Sequence, residues 1–126
     1  MLSVVIDICK NVLDFVIQNN TIKKNQKETI SNILLEISNI LEDTANKLSI
    51  GEYPHGNCVV MERLSNNLHF NLIDFVPQDD IDRLHENLIK SSNLEKEYAN
   101  RENPETINSI KIAAGEFKSM SILIKF

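Results

Sequence analysis

Glycine and proline are scarce in this sequence, with three of each in 126 residues. That is well below the usual share and excludes collagen-like and proline-rich disordered classes. Tryptophan is absent, tyrosine occurs twice and phenylalanine five times, so a core has to be built mostly from Ile, Leu and Val. The two cysteines, Cys9 and Cys58, lie far apart and do not make the disulfide framework of a small secreted module. Cys9 sits in an apolar run and reads as a small core hydrophobe; a cytoplasmic location is expected. Arginine is also rare: Arg63, Arg83 and Arg101 are the only three, and the formal net charge is −5. The one basic cluster, Lys23, Lys24 and Lys27, reads as a solvated face rather than a phosphate-binding stripe, so no DNA partner is expected. The acidic balance suits a protein partner with a basic surface. No uninterrupted apolar run reaches 18 residues, and no membrane partner is expected. The N-terminal segment lacks a basic region and is interrupted by Asp7, so no signal peptide is expected. What remains, 42% hydrophobic and 25% charged residues, is ordinary for one globular domain over residues 1–126.

Five segments carry helical periodicity and none alternates with period two. The first runs from about Leu2 to Gln18, with an apolar stripe wide enough to be contacted on two sides. The second begins near Asn25, where Asn25 and Glu28 have capping-box spacing, or one turn earlier at Thr21. It contains a seven-residue repeat: Ile30-Ser-Asn-Ile-Leu-Leu-Glu36, then Ile37-Ser-Asn-Ile-Leu-Glu-Asp43, then a degenerate copy from Thr44 to Ile50. The repeat aligns Ile30 with Ile37, Ile33 with Ile40, and Leu34 with Leu41 and Leu48. Asn25, Asn32, Asn39 and Asn46 fall on a separate, solvated stripe. Gly51 is the expected stop.

Residues 51–57 read as a linker with a specific turn, and Asn57 as the cap of a third helix from about Cys58 to Phe75. Its expected core face is Val60, Met61, Leu64, Leu68, Leu72 and Phe75. Asp79 or Asp80 is placed to cap a fourth helix that runs to about Asn100. Its seam, Ile81, Leu84, Leu88, Ser91, Glu95 and Tyr98, weakens in the second half. Asn103-Pro104-Glu105 is a strong start signal for a fifth helix ending near Lys125. Its inward residues are Ile107, Ile110, Ala113, Ala114, Phe117, Met120 and Leu123 or Ile124. Ala113-Ala114-Gly115 is expected to mark a close helix crossing. The fold class is all-α: an antiparallel bundle of four long helices plus an N-terminal helix, which is either one of the four or a fifth laid across them.

Candidate chemistry is sparse. His55 and Cys58 have half of a metal-site spacing beside Glu52, without a second half. Asp82-Arg-Leu-His85 and Glu52-Tyr-Pro-His55 have the carboxylate-x-x-His spacing of di-metal bundles, but the second lies in the linker. No metal or cofactor is expected. Arg63 and His69 are separated by five residues, which resembles the Arg-x(4–6)-His motif of HEPN ribonucleases, themselves small helical bundles. The resemblance covers residues 63–69 and implies RNA cleavage with Arg63 and His69 catalytic. It departs from the family at Leu64, where a polar residue is usual. A straight helix also sets the two side chains about 120° apart.

The expected function is a non-enzymatic protein-protein interaction or adaptor module that can self-associate. Its nominated contact residues are Tyr53 and His55 in the linker and Glu95 and Glu97 on the fading seam. A HEPN-like ribonuclease is the alternative, and RNA is a partner only under it. A membrane-acting helical-bundle effector, using the first helix, is third.

Overall fold

A computed structural model describes residues 2–19, 22–52, 54–93 and 104–125. Side-chain surroundings are described for the same residues except 2–5, 55, 90–93, 104 and 106. The described residues form five helices and no strand: α1 (Leu2–Gln18), α2 (Lys24–Ser49), α3 (His55–Leu72), α4 (Gln78–Asn93) and α5 (Pro104–Ile124).

Helix ends follow from local chemistry, not always at the expected residue. α2 starts one turn before Glu28 because Gln26, not an Asn25 cap, closes the end. The Lys23 backbone N–H donates to Gln26 Oε1 at 2.8 Å, and the Lys23 ammonium has no lone pair for the reciprocal bond. At the other end Gly51 has φ +76°. Glu52 N–H reaches the Lys47 carbonyl at 2.8 Å and Gly51 N–H the Leu48 carbonyl at 3.2 Å, the bond pair of a Schellman stop. α3 begins at His55 rather than Cys58 and ends at Leu72 rather than Phe75. α4 opens on the Pro77 carbonyl, which accepts from Asp80 and Ile81. Asp79 and Asp80 therefore lie inside the first turn, where acids suit the helix dipole. α5 starts at Pro104 as expected.

Each helix packs chiefly on two neighbours, and the contacts close a ring: α1 on α4, α4 on α3, α3 on α2, α2 on α5, and α5 on α1. α1 is thus a full member of the bundle, burying Ile6, Ile8, Cys9, Val12, Leu13 and Val16. A ring of five cannot be antiparallel throughout. The parallel contact is α1 with α5: Lys10 pairs with Glu116 at 3.1 Å, and seven residues further along both helices Ile17 and Leu123 line one groove.

The tightest contact is α2 with α5. The seven-residue repeat buries Ile30, Ile33, Leu34, Ile37, Leu41 and Leu48, and leaves all four asparagines of the Asn stripe exposed. It also buries a stripe of small residues, Ser31, Ser38 and Ala45. Ser31 Oγ donates to the Ser121 carbonyl and Ser38 Oγ to the Ala114 carbonyl, both at 2.6 Å. A step of seven along α2 matches a step of seven back along α5, so the helices run antiparallel. Small side chains let the backbones approach, and the hydroxyls are satisfied on helix carbonyls.

Gly115 does not make this crossing. It lies on the outer face, and a Cβ added there meets nothing within 4 Å. The close approach is made instead by Ser31, Ser38, Ala45, Ala114 and Ser121. At the end of α5, Ile124 is buried and Leu123 exposed. On α3, Met61, Leu64, Leu68 and Leu72 are buried and Phe75 is partly buried, whereas Val60 faces solvent.

Candidate functional site

α3 carries Cys58, Arg63 and His69, and its four sides do different things. The inward side holds the core leucines. Toward α2, in the first turn, Asn57 is buried rather than capping. Its Nδ2 donates to Asp43 Oδ2 at 3.0 Å and Thr44 Oγ1 at 2.8 Å, and its Oδ1 accepts from Lys47 Nζ at 2.9 Å. Thr44 passes its own proton to the Ile40 carbonyl at 2.7 Å, and Lys47 pairs with Asp43 at 3.1 Å. Every polar atom of the Asn57 amide is occupied, so this cluster clamps α3 to α2. The hydrogen bonds from Asn57 and then Lys47 hold the Asp43 carboxyl below the ordinary carboxylate range.

Toward α4, His69 and Asn66 meet Asp82 and His85. His69 Nε2 lies 3.5 Å from Asp82 Oδ1, His85 Nε2 lies 2.7 Å from Asn66 Oδ1, and the imidazole centroids are 4.7 Å apart. Gln78 Nε2 holds Asp82 from the side at 3.4 Å. Burial, then the neighbouring His69, pushes the His85 pKa down, against the opposing pull of Asp82. His85 therefore favours its neutral form, whose Nε2–H donates to Asn66.

Arg63 is exposed and belongs to the outer side of α3. α3 is an uninterrupted α-helix through both residues, so Arg63 and His69 are separated by about 9 Å of rise and about 120° of rotation. The structure turns His69 into the seam with α4 and leaves Arg63 in solvent; it does not bring them together within one chain.

That outer side was missing from the expected site. Phe70 is 77% exposed and Val59 52%, and Val60 and Ile73 are exposed as well. Apolar side chains exposed singly need no explanation. Here Val59, Phe70 and Ile73 share one helix face with Arg63. The signal was available: Phe70 falls between the inward Leu68 and Leu72 and cannot join them.

Of the other nominated contact residues, His55 contributes its backbone to the first turn of α3, and its side chain lies outside the described residues. Tyr53, Glu95 and Glu97 lie outside them entirely, as does Tyr98 of the expected seam, and the side chain of Ser91 lies outside the described side chains. Cys58 is partly buried in the first turn of α3. Cys9 is fully buried, which pushes its thiol pKa up to about 12 and leaves it unreactive. Among the described residues, no three His, Cys, Asp or Glu side chains are grouped to hold a metal ion. None of the helices among them is long and apolar enough to cross a membrane.

Two surface clefts flank α5. One, of about 290 Å³ between α1 and α5, is lined by Leu13, Ile17, Met120 and Leu123 beside the Lys10–Glu116 pair. The other, of about 350 Å³ between α2 and α5, has Gly115 in its lining, with Lys111 and Lys118 on α5 and Glu42 and Asn46 on α2. Its charges are mixed in sign. No protein-family model, curated protein or solved structure matches this chain.

Proposed function

We propose that the chain is a non-enzymatic protein-interaction module that works through exposed helix faces. The observation that supports this reading is Phe70, 77% exposed on a helix whose opposite side is fully packed. Phenylalanine and arginine are both among the residue types enriched at protein interfaces. The acidic charge of the chain, −5 overall, favours partners with basic surfaces. Tyr53, His55, Glu95 and Glu97 are proposed as a second contact region.

The test is affinity capture from the native cell with the wild-type chain and with Phe70→Asp on the same matrix. A co-eluting protein that is retained by the first and lost by the second is expected. The ribonuclease alternative makes a different demand. Purified protein would cut single-stranded RNA, and Arg63→Ala or His69→Ala would abolish cutting while the fold survives. That result would overturn the interaction reading.

A further inference from the structure

We infer that the α3–α4 contact is an acid-sensitive latch, in which His69 and His85 are cross-connected between the two helices around a single carboxylate and a second positive charge on the pair releases α4. The inference does not rest on the interaction reading. The two imidazole centroids are 4.7 Å apart. His69 Nε2 faces Asp82 Oδ1 at 3.5 Å, and His85 Nε2 lies 2.7 Å from Asn66 Oδ1. Each ring is thus attached to the opposite helix: His69 of α3 to Asp82 of α4, and His85 of α4 to Asn66 of α3. Both rings are partly buried. Gln78 Nε2 holds Asp82 in place from the side at 3.4 Å.

The pair accommodates one proton charge and not two. A proton on His69 completes an ion pair with Asp82 across the helices. The second charge falls on His85. Asn66 Oδ1 only accepts, so Nε2 of His85 already carries its hydrogen and the incoming proton goes to Nδ1. The bond to Asn66 survives, but two positive rings then lie side by side and one carboxylate serves both. Burial and His69 oppose a charge on His85, with Asp82 pulling the other way. Around the pair, Glu62 and Arg63 on α3 and Arg83 and Glu86 on α4 are exposed. Asp7, Lys10 and Asp14 of α1, the other helix packed on α4, are exposed too. α2 directs Asp43 and Lys47 at Asn57, about 18 Å from His69 along α3. Because the His85 pKa is lowered in the fold, its contribution to stability is complete above the unfolded histidine value near 6.5. It is lost as pH falls from there to the folded value. α4 is the element that gives way, since it packs chiefly on α3 and α1, whereas α2 is fixed to α5 by two buried hydroxyl bonds. Release uncovers Ile81, Leu84 and Leu88, which are buried in the closed bundle.

Histidine-ring NMR, amide exchange and urea unfolding of the full chain between about pH 7.5 and about pH 5 test this. The urea midpoint should fall across this interval, and α4 should lose exchange protection before α2 and α5. Asp43, held below the ordinary carboxylate range, titrates outside the interval. His69→Gln and His85→Gln should each remove most of the fall, and His69→Gln should raise the His85 pKa. Asp82→Asn should enlarge the fall. His55→Gln, at the third histidine, should leave it unchanged. The latch is overturned by a midpoint that does not move between the two pH values, by a fall that survives both glutamine variants, or by protection lost first in α2 and α5. Where a glutamine variant fails to fold, the wild-type ring titrations decide: a His85 that titrates at or above the ordinary histidine value overturns the proposal.

Discussion

Ser31, Ser38 and Ala45 step along α2 in sevens and are all buried; Val59, Asn66 and Ile73 step along α3 in sevens and are all exposed. Both faces have the period of a helix that meets another helix. They differ in chemistry. The α2 face is small and hydroxyl-bearing, so it suits a backbone at close range, and it lies on α5 with its hydroxyls bonded to the Ser121 and Ala114 carbonyls. The α3 face has a phenylalanine, an arginine and aliphatics of full size, too bulky for the close backbone approach made on α2. Period alone does not mark a contact face, since the stripe of Asn25, Asn32, Asn39 and Asn46 has the same step and is exposed. Side-chain chemistry separates the three stripes.

The comparison breaks hardest at Ser38. Ser38→Leu would force three carbons into the α2–α5 contact and remove the bond to the Ala114 carbonyl. Overpacking and the lost bond together should cost about 2–4 kcal/mol, read as a large fall in urea midpoint. Phe70→Asp, also a drastic change but at an exposed position, should stay within about 0.5 kcal/mol of wild type. Equal losses for the two would mean that α3's outer face is buried within the chain.

Asn57→Ala comes next. It removes the partner of Asp43, Thr44 and Lys47, and should cost about 1–3 kcal/mol. Asp43 supplies an independent readout. Its pKa is held down in the fold, so its contribution to stability is present above the unfolded carboxylate value near 3.9 and is lost as pH falls through the folded value. In Asn57→Ala the Asp43 titration followed by NMR should move up, and the acid limb of the stability profile should flatten.

Most of the architecture was legible in the sequence. The repeat at Ile30–Asp43, the stop at Gly51 and the start at Pro104 follow from local chemistry, and local chemistry survives into the structure. The errors share one cause. Asn57 has the composition of a cap, but its amide is engaged by three α2 side chains that only the tertiary fold brings near. Gly115 has the composition of a crossing, but rotation of α5 by the Ser31 and Ser38 contacts puts it outside. Phe70 was legible and overlooked: a large residue out of phase with its own core stripe marks a surface.

Gly115→Ala sharpens the contrast between the two small-residue sites on α5. An added Cβ has free space around it, and alanine is the better helix former by up to about 1 kcal/mol. The variant should melt higher than wild type. Ala114 is buried one residue away with its carbonyl taken by Ser38, and Ala114→Leu should melt lower.

The smallest stability effect belongs to Glu95 and Glu97. Both are charged residues beyond the part of the chain whose expected seam is aliphatic, so reversal to lysine should shift stability by no more than about 0.5 kcal/mol. Their proposed role is to meet a basic surface, which makes the effect on binding electrostatic. Reversal should slow association with that partner and remove most of its salt dependence. Phe70→Asp, on the outer face of α3, changes neither residue. Measuring partner binding for both variants separates the two regions. Binding lost on the double reversal and kept on Phe70→Asp assigns the partner to Glu95 and Glu97, and the opposite result assigns it to the outer face of α3. Loss on both would mean that the partner spans the two surfaces.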